Sequence, residues 1–350
     1  MLTEREKVII ASMPKAENHI HIEGSIPWRL AIELAKKNHV EIPFYEEAEI
    51  GHWAQEMIRT QGLNGFMICN RTFNAACVTE NDYEAVIIEL AKQASAQNII
   101  YQEYHLDYPL SEERGISMET VMNGYARGRE IAKRDYGVDI VFIAGIDRTQ
   151  PPEKCLSFVR ALKDYRPLIE GLGLDCEEQG YPARLFTECY REGKKLGLFL
   201  TAHAGEDSDA SNITDSLNLL QVNRIDHGCR AAEQPKLQKR LKDEQILCAM
   251  CPTSNIGSGA AKSFHDHPFL TLFRAGVPVS ISSDDPPYVN SLNEEYEKAI
   301  TQMGLTLEEL VQIARNAFAY SIRGQKYLPR FDAWMEANGF LAPLGQLSVK

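Results

Sequence analysis

Short β-rich apolar runs alternate with longer amphipathic stretches along this chain, and that alternation leaves few folds open to it. The runs are Ala16–Ile22, Ile99–Leu106, Val138–Ile146, Leu168–Leu174, Leu198–His203, Arg224–His227, Ile246–Cys251 and Val277–Ser282. Between them lie helix-length segments, among them Asp82–Ala96, Met118–Lys133, Pro152–Tyr165, Ala183–Leu196, Thr214–Gln221, Gln234–Lys242 and His267–Ala275. Strand–helix alternation implies parallel strands joined by helical crossovers, and eight such units favour a closed (β/α)8 TIM barrel over an open doubly wound sheet. Three further helices, Leu292–Met303, Thr306–Ser321 and Leu328–Asn338, are predicted after the eighth strand, where they would close or cap the barrel. No Pro-, Gly- or Ser-rich linker interrupts the 350 residues, so residues 1–350 read as one domain.

Charge narrows the partners. Lys plus Arg number 37 against 49 for Asp plus Glu, a formal charge of −12. Such a surface repels phosphate backbones, so no nucleic-acid partner is expected and a neutral or cationic small ligand fits better. The apolar run Val8–Met13 is shorter than a signal-peptide core and has charges at Glu4, Arg5, Glu6, Lys7 and Lys15 around it, so no export is expected. No apolar run reaches the roughly 18 residues of a membrane span. Eight dispersed cysteines read as reduced thiols, and the expectation is a soluble cytoplasmic protein without disulfides. Oligomeric state has no signature in the sequence.

Chemistry-bearing residues gather at the ends of the predicted strands. His19 and His21 alternate along the first strand, so both imidazoles face one way while Ile20 and Ile22 face the other. Directed inward, they converge near the C-terminal end of that strand, where barrel enzymes place their chemistry; His-x-His alone also fits two partly exposed histidines. His203 ends a later apolar run, with Glu206 on the loop beyond it. His227 and the adjacent acids Asp284 and Asp285 repeat the placement at two more strand ends. A lone histidine is commonly structural and paired acids commonly mark a solvated turn, but one pattern at four strand ends argues for a shared site. Cys248 and Cys251 form a Cys-x-x-Cys inside an apolar strand with no second pair, which reads as a buried structural pair. His265 and His267 precede a helix, and capping or surface roles are expected of them.

Five motifs then appear in order: Met13-Pro14-Lys15-Ala16-Glu17-Asn18-His19-Ile20-His21-Ile22-Glu23-Gly24-Ser25, His203-Ala204-Gly205-Glu206, His227-Gly228, Cys251-Pro252-Thr253-Ser254-Asn255 and Asp284-Asp285-Pro286. From about Pro14 to Tyr320 the chain resembles the adenosine/adenine deaminase family of the metal-dependent amidohydrolase superfamily. The resemblance implies one Zn2+ per chain, held by His19, His21, His203 and Asp284 with a position left for water. It implies that Glu206 protonates the purine N1, that His227 orients the attacking water, and that Asp285 shares a hydrogen bond at N7. Groups around Gly173, Asp175 and Cys176 match the family's purine N3 contact, and Glu23 stands where adenosine deaminases carry an Asp that meets the ribose 5′-hydroxyl.

Two positions depart from the family pattern. Asn18 replaces the usual Leu, and Cys176 replaces the Gly usual in adenosine deaminases. Glu23 and Asp175 look like the adenine-specific branch, whereas Cys251–Asn255 and Ser291–Tyr296 look like the nucleoside branch. The implied reaction is zinc-dependent hydrolytic deamination of a small aminopurine, with adenosine to inosine as the first expectation and adenine to hypoxanthine, or a modified adenosine, as the alternative. No Arg/Lys cluster or Gly-rich loop suggests a site for a nucleotide's phosphate.

Overall fold

Eight parallel strands lie side by side in chain order: β1 (Lys15–His21), β2 (Ile99–Leu106), β3 (Asp139–Asp147), β4 (Ile169–Asp175), β5 (Phe199–Ala204), β6 (Arg224–His227), β7 (Leu247–Met250) and β8 (Val279–Ile281). They belong to a computed structural model that describes residues 1–340. The ends of the sheet meet just beyond β8. There Ile20 pairs in parallel with Asp284, the His21 N–H donates to the Asp284 carbonyl at 3.0 Å, and the Asp284 N–H donates to the His19 carbonyl at 3.3 Å. Side chains stitch the same seam, since the Ser282 hydroxyl accepts from the His19 N–H at 3.1 Å and Glu17 accepts from the Ser283 N–H at 2.8 Å. The expected (β/α)8 barrel with extra C-terminal helices is the fold observed.

Each strand is buried, as parallel strands between helices and a filled barrel interior must be. Strand boundaries sit within two residues of those expected. β8 starts two residues later than the apolar run because Pro278 has no N–H to contribute to a ladder. Several helices stop short of their predicted ends. Met118–Ile131 passes into a wide turn, Ala132–Tyr136, and Pro152–Ala161 into a tight one, Leu162–Tyr165. The segment predicted as Thr214–Gln221 is a helix over Ala210–Asp215 followed by a wide turn, Ser216–Leu220. Altered last turns of this kind satisfy carbonyls that have no partner within an α-helix. After β8 come Leu292–Thr301, Leu307–Ala319 and Leu328–Ala337, the first two opened by capping boxes at Ser291/Glu294 and Thr306/Glu309.

One region was not foreseen from the alternation. Between β1 and the expected helix Glu80–Ala96 that precedes β2, the chain forms three more helices, Trp28–Asn38, Glu47–Gln61 and Leu63–Asn74, the last two joined through Gly62 in a positive-φ conformation. The third of these lies over the barrel mouth. All eight cysteines are free thiols and, apart from the half-buried Cys176, all are buried. No described helix is long and apolar enough to cross a membrane.

Candidate active site

The C-terminal ends of the strands surround a cavity, the place where barrels of this kind carry their chemistry. Leu63, Phe66 and Met67 form its apolar side, and His21, Asp107, Cys176, His203, Glu206, His227, Asp284 and Asp285 its polar side. Three of these polar residues have left-handed backbone, Cys176 (φ 71°), His227 (φ 63°) and Asp284 (φ 68°), each at a strand end. Non-glycine residues persist there at a cost, and such strain concentrates at functional sites. Gly24 is forced by the same crowding, because a Cβ on it would stand 1.4 Å from Asp285 Oδ1.

Four donors converge at the centre. His21 Nε2 lies 3.2 Å from His203 Nε2 and 3.5 Å from Asp284 Oδ1, and His19 Nε2 lies 3.2 Å from Asp284 Oδ1. All four ligand atoms fall within 4.8 Å of one another. His19 Nε2 is fully buried with no hydrogen-bond partner. A buried, unpartnered imidazole nitrogen among two more imidazoles and a carboxylate suits a divalent cation with nitrogen and oxygen ligands. The four residues expected from the sequence to hold metal are therefore brought together.

Behind them stands a second set of residues that fixes the imidazoles. His19 Nδ1 faces Asp226 Oδ1 at 3.3 Å, His21 Nδ1 faces Asp107 Oδ2 at 3.4 Å, and His203 Nδ1 faces Asp175 Oδ1 at 3.0 Å. His105, on β2, lies between two of these carboxylates, 3.2 Å from Asp175 and 3.4 Å from Asp226. Carboxylates in this position select the tautomer that leaves Nε2 free for a metal. Asp175 thus faces two histidines with its carboxylate, and Gly173 packs under His105, which a Cβ would approach to 2.9 Å.

Glu206 and His227 face each other, with His227 Nε2 3.5 Å from Glu206 Oε2 and 3.9 Å from Asp284 Oδ2. Burial, with Asp284 adding to it, pushes the Glu206 carboxyl up to about 8, so it carries a proton at neutral pH. Its loop is held by Glu178, whose carboxylate accepts the backbone N–H groups of Gly205 and Glu206 at 2.9 and 2.7 Å. Burial holds His227 well below the usual imidazole range, so it is neutral.

A chain of hydrogen bonds sets the tautomer of His227. The Phe269 N–H donates to His267 Nδ1 at 3.2 Å, so the His267 proton is on Nε2, which donates to Asn255 Oδ1 at 3.2 Å. The Asn255 amide then donates to His227 Nδ1 at 2.9 Å, leaving the His227 proton on Nε2, directed at the cavity. His267 caps the helix Phe269–Ala275, as expected, but it is buried rather than at the surface.

Asp285 accepts from the Asn70 amide at 3.1 Å, and burial plus Asp284 raise its carboxyl to about 7. Glu23, buried on the turn after β1, accepts from the Tyr125 hydroxyl at 3.2 Å and, like Gly173, stands outside the residues that line the cavity. Asn18 points away from the site and donates to the Ala317 carbonyl, bracing β1 against the helix Leu307–Ala319. Cys248 and Cys251 are both fully buried. Asp107, His105, Asp226, Asn255 and Asn70 were assigned no role from sequence, because their function lies in which neighbour each touches.

Fold and site together define a (β/α)8-barrel hydrolase with a metal-type donor cluster at the strand ends. The profile of the adenosine deaminase family matches residues 14–327, and the chain belongs to that family as a hydrolytic aminopurine deaminase. It is 33% identical over 321 residues to an adenine deaminase of Wolinella succinogenes, covering 91% of this chain and 96% of that protein. Among solved structures it is similar to an adenine deaminase from Arthrobacter aurescens, with a TM-score of 0.87, 30% identity, and coverage of 93% of this chain and 100% of that one. An amidohydrolase from Burkholderia ambifaria with bound Zn shares the fold, with a TM-score of 0.85, 24% identity, and coverage of 97% and 96%.

Proposed function

We propose that this protein is a zinc-dependent adenine deaminase, converting adenine and water to hypoxanthine and ammonia. The observation that carries the substrate is the near full-length similarity, at 31–33% identity, to relatives named adenine deaminase. This reverses the order in which the sequence alone ranks adenosine and adenine. The absence of Lys and Arg from the described cavity lining supports an uncharged base over a nucleotide.

His19, His21, His203 and Asp284 would hold the zinc, which when bound supplies Lewis acidity that lowers the pKa of water toward about 7. The chain's own groups then act on the purine. Glu206 gives its proton to N1, so that negative charge does not build up on the ring as C6 becomes tetrahedral. His227, with its proton on Nε2, donates toward the oxygen attacking C6 and orients it. Asp285 shares a hydrogen bond at N7 and aligns the ring, while backbone at Asp175–Cys176, rather than Gly173, meets the N3 edge. Leu63, Phe66 and Met67 cover the ring and exclude water.

Absorbance assays of the zinc-loaded protein with adenine, adenosine, 2′-deoxyadenosine, AMP and N6-methyladenosine test the assignment. The expected result is a kcat/KM for adenine at least about tenfold above that for every other member of the panel, the margin of about 1.4 kcal/mol in transition-state binding. Faster turnover of adenosine than of adenine would overturn it.

A further inference from the structure

Asp107 follows β2 directly, and its side chain is nine-tenths buried in the cavity wall. One carboxylate oxygen, Oδ2, faces His21 Nδ1, while Oδ1 is buried without a hydrogen-bond partner. Buried acceptors are almost always paired, so a lone one in a ligand cavity points to a donor that the ligand brings. Gly145 on β3 packs against this carboxylate and that of Asp175 from outside the cavity lining, and a Cβ there would stand 2.7 Å from Asp107 Oδ1 and 2.2 Å from Asp175 Oδ2. The other unpaired acceptor in the cavity lining, Asn70 Oδ1, belongs to an amide already tied to Asp285 across the mouth.

The direction of the ring follows from the groups around it. With C6 toward the histidine cluster, Glu206 after β5 meets N1 and Asp285 after β8 meets N7, on opposite sides. The remaining edge, with N3 and N9, turns toward β2–β4. On that arc Asp175 is engaged by His105 and His203, and Glu23, whose Oε2 is also unpaired, stands outside the lining, which leaves Asp107 Oδ1 as the free acceptor in the cavity wall.

We propose that Asp107 accepts a hydrogen bond from the N9–H of a free purine base and so selects bases over nucleosides; this rests on the adenine assignment above. Adenine carries a hydrogen on N9 that it can donate. In a nucleoside the same nitrogen is bonded to C1′, and Asp107 would face carbon with its acceptor unpaired. A site built around such a bond rejects the analogue that lacks it far more strongly than a shape mismatch does.

The test compares adenine with 9-methyladenine, which keeps the 6-amino group, N1, N3 and N7 but lacks the N9 hydrogen. Zinc-loaded wild type is expected to prefer adenine by about 100-fold or more in kcat/KM. Asp107→Ala, compared at equal zinc loading because Asp107 also holds His21, should shrink that preference at least tenfold, and Asp107→Asn, whose carbonyl oxygen still accepts, should restore most of it. Calorimetry on the wild type should show the same preference for hypoxanthine over 9-methylhypoxanthine, which decides the matter if Asp107→Ala does not fold. A wild-type preference within threefold, or an equal loss on both substrates in Asp107→Ala, overturns the proposal. If adenine and 9-methyladenine are used equally while adenosine is poor, Asp107 alone is misassigned. If adenosine outruns adenine, the adenine assignment itself fails.

Discussion

The floor and the mouth of the barrel both bury charge, and they balance it in opposite ways. On the floor, Arg224 donates to Asp226 at 2.9 Å and pairs with Glu103, which also accepts from the Tyr101 hydroxyl at 2.6 Å. Thr201 donates to Asp226 as well, at 2.5 Å. At the mouth, Asp107, Asp175, Glu206, Asp284 and Asp285 crowd one cavity with no Lys or Arg in its described lining. On the floor a guanidinium and neutral hydroxyl donors satisfy the carboxylates; the mouth leaves that to what it binds. Asp226 joins the two regions, facing Arg224 on one side and His19 and His105 on the other. Stability resides in the first region, and reactivity follows from the deficit in the second.

Removing a ligand at the mouth should give the largest effect. His203→Ala or Asp284→Ala should abolish zinc retention and lower turnover beyond about 10⁴-fold, checked by elemental analysis, which should find one zinc per chain in the wild type and none in the variant. Glu206→Gln keeps the shape but cannot donate a proton, so a loss of about 10²–10⁴-fold at full zinc content is expected. Because burial raises the Glu206 carboxyl to about 8, the acid form is present below that value and lost above it. Wild-type turnover should therefore fall as pH rises through about 8, and a pH–rate profile of Glu206→Gln should lack that fall.

The floor should respond in stability instead. Arg224→Met removes the buried cation that Glu103 and Asp226 share and should cost about 3–5 kcal/mol in denaturant unfolding, the price of breaking a buried pair. The smallest change is expected from His267→Phe, which leaves Asn255 Oδ1 with only the weak donor of the Cys229 thiol. Turnover should drop about 10–100-fold at unchanged zinc content, with the His227 ring shifting tautomer in ¹⁵N NMR. A loss of stability with no loss of rate in that variant would remove His267 from the chain that sets His227.

Strand order was legible because alternating apolar runs report the period of the backbone, and eight of them leave little choice of topology. Spacing marks His19 and His21, and strand-end position marks His203 and Asp284, as candidates for a shared site, but His227 and Asp285 share that position, and it is the family resemblance that singles out the four as a metal set. Asp107, Asp226 and Asn255 also stand at or beside strand ends, but their roles come from partners on other strands, and no spacing along the chain encodes that. The helices over residues 28–74 are similar. Phe66, Met67 and Asn70 form an amphipathic pattern in sequence, and only their position over the mouth separates a cavity wall from ordinary packing.

The seam between β1 and β8 has a consequence for biosynthesis. Backbone hydrogen bonds tie His19 and His21 to Asp284, so the first and last donors are also the clasp of the barrel. A nascent chain carries the His-x-His pair from early in translation, but the fourth donor emerges only after all eight strands have been made. A metal held by the proposed set would thereby be captured late, with ring closure, and a chain interrupted before residue 284 lacks the clasp and the complete proposed donor set alike.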